Sequence, residues 1–384
     1  MRSVAAPFLF AAQVVTGQQS QRRQRRQQTM TDESALNLRP VIGIFAQQTS
    51  TIATTGPLAA YDLMVPSSYV NWVGQGGARA IPVLLGRPES YYQEIFNRTN
   101  GLLFPGGNQG ILPDEIYTEE GKLLWDMAKE ANGQNDYYPI WGTCLGFEEL
   151  SVLETGSGSV ISLDVEATNI ALPLNFTPEA PSSRLFDFMG PDLVTALSKE
   201  NITFNSHSHG LLLNEYENNT ALNSFFQVLS TNTATASGGE VFVSTMEAYD
   251  YPFYGTQWHP EKSNFEWSLK EGSYTNTPHS PNAVRASIET AAFFVQEARK
   301  SRHVFPEEAQ SQLVYSAPIL YTGPNWIYDQ IYVFDPIGES GDATTTSSSS
   351  SLHSDRQMDV LLQMPAITLK KAFGFVCSLM DLGC

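Results

Sequence analysis

Between Val41 and Trp141 the chain repeats one pattern. A short apolar, β-rich run ends at a turn, and a stretch with helical spacing follows it. The runs are Val41-Ile42-Gly43-Ile44-Phe45, Ala80-Ile81-Pro82-Val83-Leu84-Leu85, Gly101-Leu102-Leu103-Phe104 and Tyr138-Pro139-Ile140-Trp141. They are continuously apolar rather than alternating, as expected of strands covered on both faces. Ser68 to Val73 reads as a helix stopped by Gly76-Gly77, because glycine closes a helix without a Cβ penalty. A second helix is expected around Tyr91 to Phe96, and Leu123, Leu124, Met127 and Ala128 recur at the spacing of a third. Parallel neighbours need a crossover long enough to hold a helix, so this alternation specifies an α/β fold with a mostly parallel sheet.

The regular region opens at Arg39-Pro40. From Val160 to Thr203 the helical period is lost, and short extended pieces are expected there. Gly239 to Met246 and Tyr254 to Trp258 read as adjacent strands, and Pro281 to Lys300 as a helix. The aromatic stretch Ile327 to Asp335 is expected to pack against the sheet and to end the domain, which spans residues 39–335. Residues 336–384 follow as a Ser/Thr-rich linker and a partly apolar tail.

Residues 1–17 hold one arginine and a short apolar run, the form of a secretory signal interrupted by Pro7 and Gln13. Residues 18–38, with Arg22, Arg23, Arg25 and Arg26, read as a disordered leader; the alternative is a wholly disordered N-terminus with translation starting at Met30. Four Asn-x-Ser/Thr sites, at Asn97, Asn175, Asn201 and Asn218, favour the secretory route as glycosylation acceptors. No stretch approaches the length of an integral membrane span. The net charge of −18 argues against a nucleic-acid partner, which needs a basic surface.

Of three cysteines, Cys377 and Cys384 lie in the tail, where they either pair or stay free; Cys144 stands alone in the body. Gly142-Thr143-Cys144-Leu145-Gly146 has the form of a nucleophile elbow, a sharp strand-to-helix turn flanked by small residues. The turn places the sulfur at a helix N-terminus, which favours a thiolate. Trp258-His259-Pro260-Glu261 follows a strand, so His259 is expected at a strand end as Cys144 is, with Glu261 placed to accept its second ring N–H. His207-Ser208-His209 lacks a third ligand at a sensible spacing, so no metal is expected. With no Walker loop and no Gly-x-Gly-x-x-Gly, no cofactor is expected either.

The segments Pro139 to Leu150 and Tyr254 to Lys262 resemble the two signature stretches of γ-glutamyl hydrolases, in the class I glutamine-amidotransferase-like group. The likeness continues through Phe104-Pro105-Gly106-Gly107, Leu172 to Thr177, Ser244 to Glu247 and Pro281 to Val284. The resemblance implies an αβα sandwich with a central, mostly parallel sheet, cleaving folate poly-γ-glutamates with water in a vacuole, a lysosome or a secreted fluid. It also implies a thioester mechanism: Cys144 as nucleophile, His259 as acid and base, Glu261 as its orienting group, and the backbone N–H groups of Gly107 and Leu145 as oxyanion donors. His207 and Glu148 are the substrate contacts implied. A homodimer is left open.

Asp62 to Pro66 departs from the family's Tyr-rich stretch, which bears on the pocket lining but not on the reaction. Two other functions remain: a glutamine amidotransferase that passes ammonia to a synthase, or a non-catalytic binding protein of the same fold. The amidotransferase reading is disfavoured by the lack of a synthase region, by the secretion features and by Glu148, which stands where amidotransferases usually carry glutamine.

Overall fold

A computed structural model describes residues 36–52, 57–235, 239–271, 274–324 and 326–334. The expected signal, the tail with Cys377 and Cys384, and the domain's end at Asp335 lie outside the described residues. The strands in chain order are β1 (Val41–Phe45), β2 (Gln47–Gln48), β3 (Leu63–Pro66), β4 (Arg79–Val83), β5 (Leu102–Phe104), β6 (Ile140–Thr143), β7 (Ala167–Leu172), β8 (Asn175–Phe176), β9 (Thr203–His207), β10 (Phe226–Thr233), β11 (Val241–Ala248), β12 (Phe253–Thr256), β13 (Ile319–Tyr321) and β14 (Gln330–Phe334). The main helices are α1 (Ser67–Gln75), α2 (Glu89–Arg98), α3 (Ile116–Gly133), α4 (Leu145–Thr155) and α5 (Pro281–Ala298).

The central sheet runs β4-β1-β5-β6-β12-β11-β10-β8. Its first five strands are parallel and its last three antiparallel. Strands β1, β5, β6 and β12 are buried at every residue, the outcome their unbroken apolar runs require. Successive residues of a strand face opposite sides, and β6 shows what each side holds. Trp141 packs on Trp72 of α1 and Phe294 of α5. Its neighbour Gly142 faces Gly146 and Phe147 of α4. Helices therefore cover both faces, and the molecule is an αβα sandwich. Among the described residues no helix is long and apolar enough to cross a membrane.

Two expectations need correction. The stretch from Val160 to Thr203 is not only extended: besides β7 and β8 it holds short helices at Arg184–Phe188 and Pro191–Leu197. The Ser183 hydroxyl accepts from Phe186 N–H and starts the first, while Pro191 starts the second with a φ already suited to a helix. These caps act where no helical period is visible. The segment after Ile327 does not simply pack against the central sheet. Its β14 is an inner strand of a second, antiparallel sheet of order β13-β14-β3-β2. The chain enters that sheet at Gln47, two residues after β1 ends.

Candidate active site

Strands β6 and β12 pair in parallel with Thr143 opposite Thr256, and Cys144 N–H donates to the Thr256 carbonyl at 2.8 Å. The chain segments leaving the two strands thus start side by side, at the carboxyl edge where open α/β sheets bind their ligands. Cys144 is the N-cap of α4, with φ 51° and ψ −108°, a conformation L-residues avoid and that surrounding structure must impose. Two glycines make the turn possible. A Cβ on Gly142 would lie 2.4 Å from the Gly146 carbonyl oxygen, and one on Gly146 would lie 2.0 Å from that of Phe104. Both contacts are with backbone, so neither can be relieved by a side-chain shift.

His259 leaves β12 three residues after Thr256, and its own N–H is fixed on the Phe204 carbonyl of β9 at 2.8 Å. Its Nδ1 lies 2.8 Å from Glu261 Oε1, both residues being buried. With the carboxylate accepting at Nδ1, Nε2 of the neutral ring is left to take a proton; Nε2 has no partner among the described residues. A methyl built on Gly106 would touch His259 Cε1 at 2.7 Å, the Tyr69 hydroxyl at 2.7 Å and Cys144 Cβ at 3.2 Å. The side chains of Cys144, through its Cβ, of His259 and of Tyr69 therefore converge over this one glycine, just beyond β5. Burial pushes the Glu261 carboxyl up, but His259 beside it outweighs that, and Lys262 adds to the effect, so it sits below the usual carboxylate range.

The surroundings of the thiol work against one sequence-based expectation. Burial, then the charges of Glu148 and Glu261, push the Cys144 thiol well above its usual range; the Leu145 N–H and Lys262 pull the other way without prevailing. These surroundings oppose the pull of the helix N-terminus toward a thiolate.

Glu148 lies one turn after Cys144 on α4, buried, accepting from Gln257 Nε2 at 2.9 Å. Burial raises its carboxyl to about 7. His207 ends β9; its Nδ1 is 2.7 Å from the His209 carbonyl, and its Nε2 is buried without a partner among the described residues. Burial lowers its imidazole to about 4, so it is neutral near neutrality. The Leu145 N–H lies against the sulfur, and Gly107 N–H donates to no acceptor among the described residues. The asparagines Asn97, Asn175, Asn201 and Asn218 are all exposed. Among the described residues no three His, Cys, Asp or Glu gather where they could hold a metal ion.

Nothing in their local sequence marks Gln47, Tyr69 or Tyr328, yet all three hydrogen-bond to Gly106. The one available signal is that Gln47 follows the carboxyl end of β1. Lys262 is fully enclosed beside them, its ammonium 4.5 Å over the Tyr274 ring and 4.8 Å over that of Tyr328.

A family model described as Peptidase C26 matches residues 40–261. The chain is 38% identical over 299 residues to a γ-glutamyl hydrolase of Homo sapiens, covering 77% of this chain and 90% of that protein. It is 36% identical over 304 residues to γ-glutamyl hydrolase B of Dictyostelium discoideum, with 79% and 85% covered. With γ-glutamyl hydrolase 1 of Arabidopsis thaliana it shares 33% over 306 residues, with 78% and 84% covered.

Proposed function

Because the chain belongs to the peptidase C26 family, we propose that it is a γ-glutamyl hydrolase acting on folate poly-γ-glutamates through Cys144, His259 and Glu261. The observation that carries this reading is the convergence over Gly106 of the side chain of a buried cysteine on a strained backbone and an imidazole whose Nδ1 is held by a buried carboxylate.

His259 Nε2 takes the thiol proton as the sulfur bonds to the γ-carbonyl carbon. The carbonyl oxygen, now an oxyanion, accepts from the N–H groups of Leu145 and Gly107, donors worth a few kcal/mol of barrier each. His259 passes the proton to the departing amine and the C–N bond breaks, leaving a thioester. Water, deprotonated by His259, then releases the acid and restores the thiol. Glu261 holds the ring and stabilises its charged form throughout. His207 Nε2 contacts the substrate, and Glu148 acts beside it through Gln257, whose Oε1 is unpartnered among the described residues.

The protein enters the secretory route and works in a lysosome, a vacuole or outside the cell, a reading supported by the exposure of all four sequon asparagines. Incubation with a folate pentaglutamate should release glutamate or short γ-glutamyl peptides, identified by mass spectrometry, and Cys144→Ala should abolish release. An intact pentaglutamate, or an alanine variant that turns over normally, would overturn the reading.

A further inference from the structure

The two peptides that meet at Gly106 are held by three side chains that the mechanism above leaves without a role, Tyr69 on the first and Tyr328 and Gln47 on the second. Gly106 N–H donates to the Tyr69 hydroxyl at 2.7 Å. The Gly106 carbonyl accepts from the Tyr328 hydroxyl at 3.0 Å and from Gln47 Nε2 at 3.2 Å. All three residues are buried, and all three belong to the small antiparallel sheet or its flanks. Gln47 is in β2, Tyr69 is in the first turn of the helix after β3, and Tyr328 precedes β14.

A trans peptide is planar, with its C=O and the following N–H pointing in opposite directions. Anchoring the Gly106 oxygen therefore fixes where Gly107 N–H points, which is away from Tyr328 and Gln47. A peptide between two glycines is otherwise free to invert, because neither residue has a Cβ to restrict it. We infer that Tyr328 is a positioning residue whose hydroxyl, with the Gln47 amide, holds this peptide so that Gly107 N–H donates to the oxyanion formed at Cys144. The second sheet thus completes the active site of the first. Burial, followed by the nearby Tyr274, Glu261, Glu266 and Cys144, keeps the Tyr328 phenol protonated and so a donor. Lys262, over its ring and 3.4 Å from the Ile327 carbonyl, fixes the ring itself.

The inference rests on the reading of Cys144 as an acyl-accepting nucleophile, and its test separates the two. In the full-length protein, Tyr328→Phe keeps the ring over Lys262 and removes only the hydroxyl. Acylation of Cys144 by p-nitrophenyl acetate passes through an oxyanion, whereas alkylation by iodoacetamide does not. Losing one oxyanion donor outright costs about 10²–10³ in rate. Losing one of its two anchors should slow acylation about five- to thirtyfold, leave alkylation within about twofold, and lower kcat on a γ-glutamyl substrate more than it changes KM. Gln47→Leu should shift the same ratio in the same direction. Unchanged acylation in Tyr328→Phe, or acylation and alkylation falling together, overturns the inference, the second outcome showing a role in the fold alone. Neither reagent carries a γ-glutamyl group, so a wild-type protein that leaves pentaglutamate intact does not affect the comparison. Ester acylation as fast in Cys144→Ala as in wild type would overturn the nucleophile reading and this inference with it.

Discussion

Glu261→Gln removes one charge and changes almost nothing in shape. The carboxylate is fully enclosed and 2.8 Å from His259 Nδ1, so its bond to the imidazolium formed during catalysis is not diluted by water. A hydrogen bond to a charged group contributes about 1.5–3 kcal/mol. If glutamine recovers none of it, kcat/KM falls about 10- to 150-fold, at about 1.4 kcal/mol per decade. His259→Asn, which removes the proton carrier itself, should cost more. Because the Glu261 carboxyl sits below its ordinary range, its support is present above that lowered pKa and is lost only as pH falls through it. The defect of Glu261→Gln should therefore be as large in mild acid as at neutrality. The assay is initial-rate glutamate release by wild type and both variants over that pH range, with melting curves to confirm folding. A Glu261→Gln rate within threefold of wild type, or one below that of His259→Asn, would refute the reasoning; the latter would mean that Glu261 meets the substrate directly.

Burial raises the carboxyls of Glu148, Glu149 and Glu266 to about 7, about 8 and about 7, from an ordinary 4.5. The folded chain thus holds protons that the unfolded chain releases, and the stabilisation is lost as pH rises through these values. His207, lowered to about 4 from 6.5, opposes this only below its unfolded value. The melting temperature should fall between about pH 6.5 and about pH 8.5, and Glu149→Gln should flatten the fall; a rising curve would contradict the burial argument. N-glycosidase should increase the gel mobility of natively produced protein through glycans on some of Asn97, Asn175, Asn201 and Asn218, and no shift would argue against the secretory route. A chain ending at Asp335 should keep kcat/KM within about tenfold of full length, whereas one ending before Ile327 loses Tyr328 and β14 and should be inactive.

The sequence alone was enough for the parallel strands of the central sheet and for placing Cys144 and His259 just beyond two of them. Runs such as Val41–Phe45 and Ile140–Trp141 are legible because a doubly covered strand must be apolar throughout. Cys144 and His259 are legible because the elbow needs Gly142 and Gly146, and because both motifs directly follow strands. Those constraints are local, so they leave a local mark. What stayed hidden depends on distant segments meeting. The short helices at Arg184–Phe188 and Pro191–Leu197 are set by caps and have too few turns to show a period. The second sheet joins residues 47–48, 63–66, 319–321 and 330–334, and a two-residue strand such as Gln47–Gln48 has no pattern to read. The pull of the helix N-terminus on Cys144 is visible in the turn, whereas the burial and the charges of Glu148 and Glu261 that oppose it exist only once the chain has folded. The clamp of Gln47, Tyr69 and Tyr328 on Gly106 is of the same kind, since a hydrogen bond across 222 residues leaves no trace in the local order of either partner.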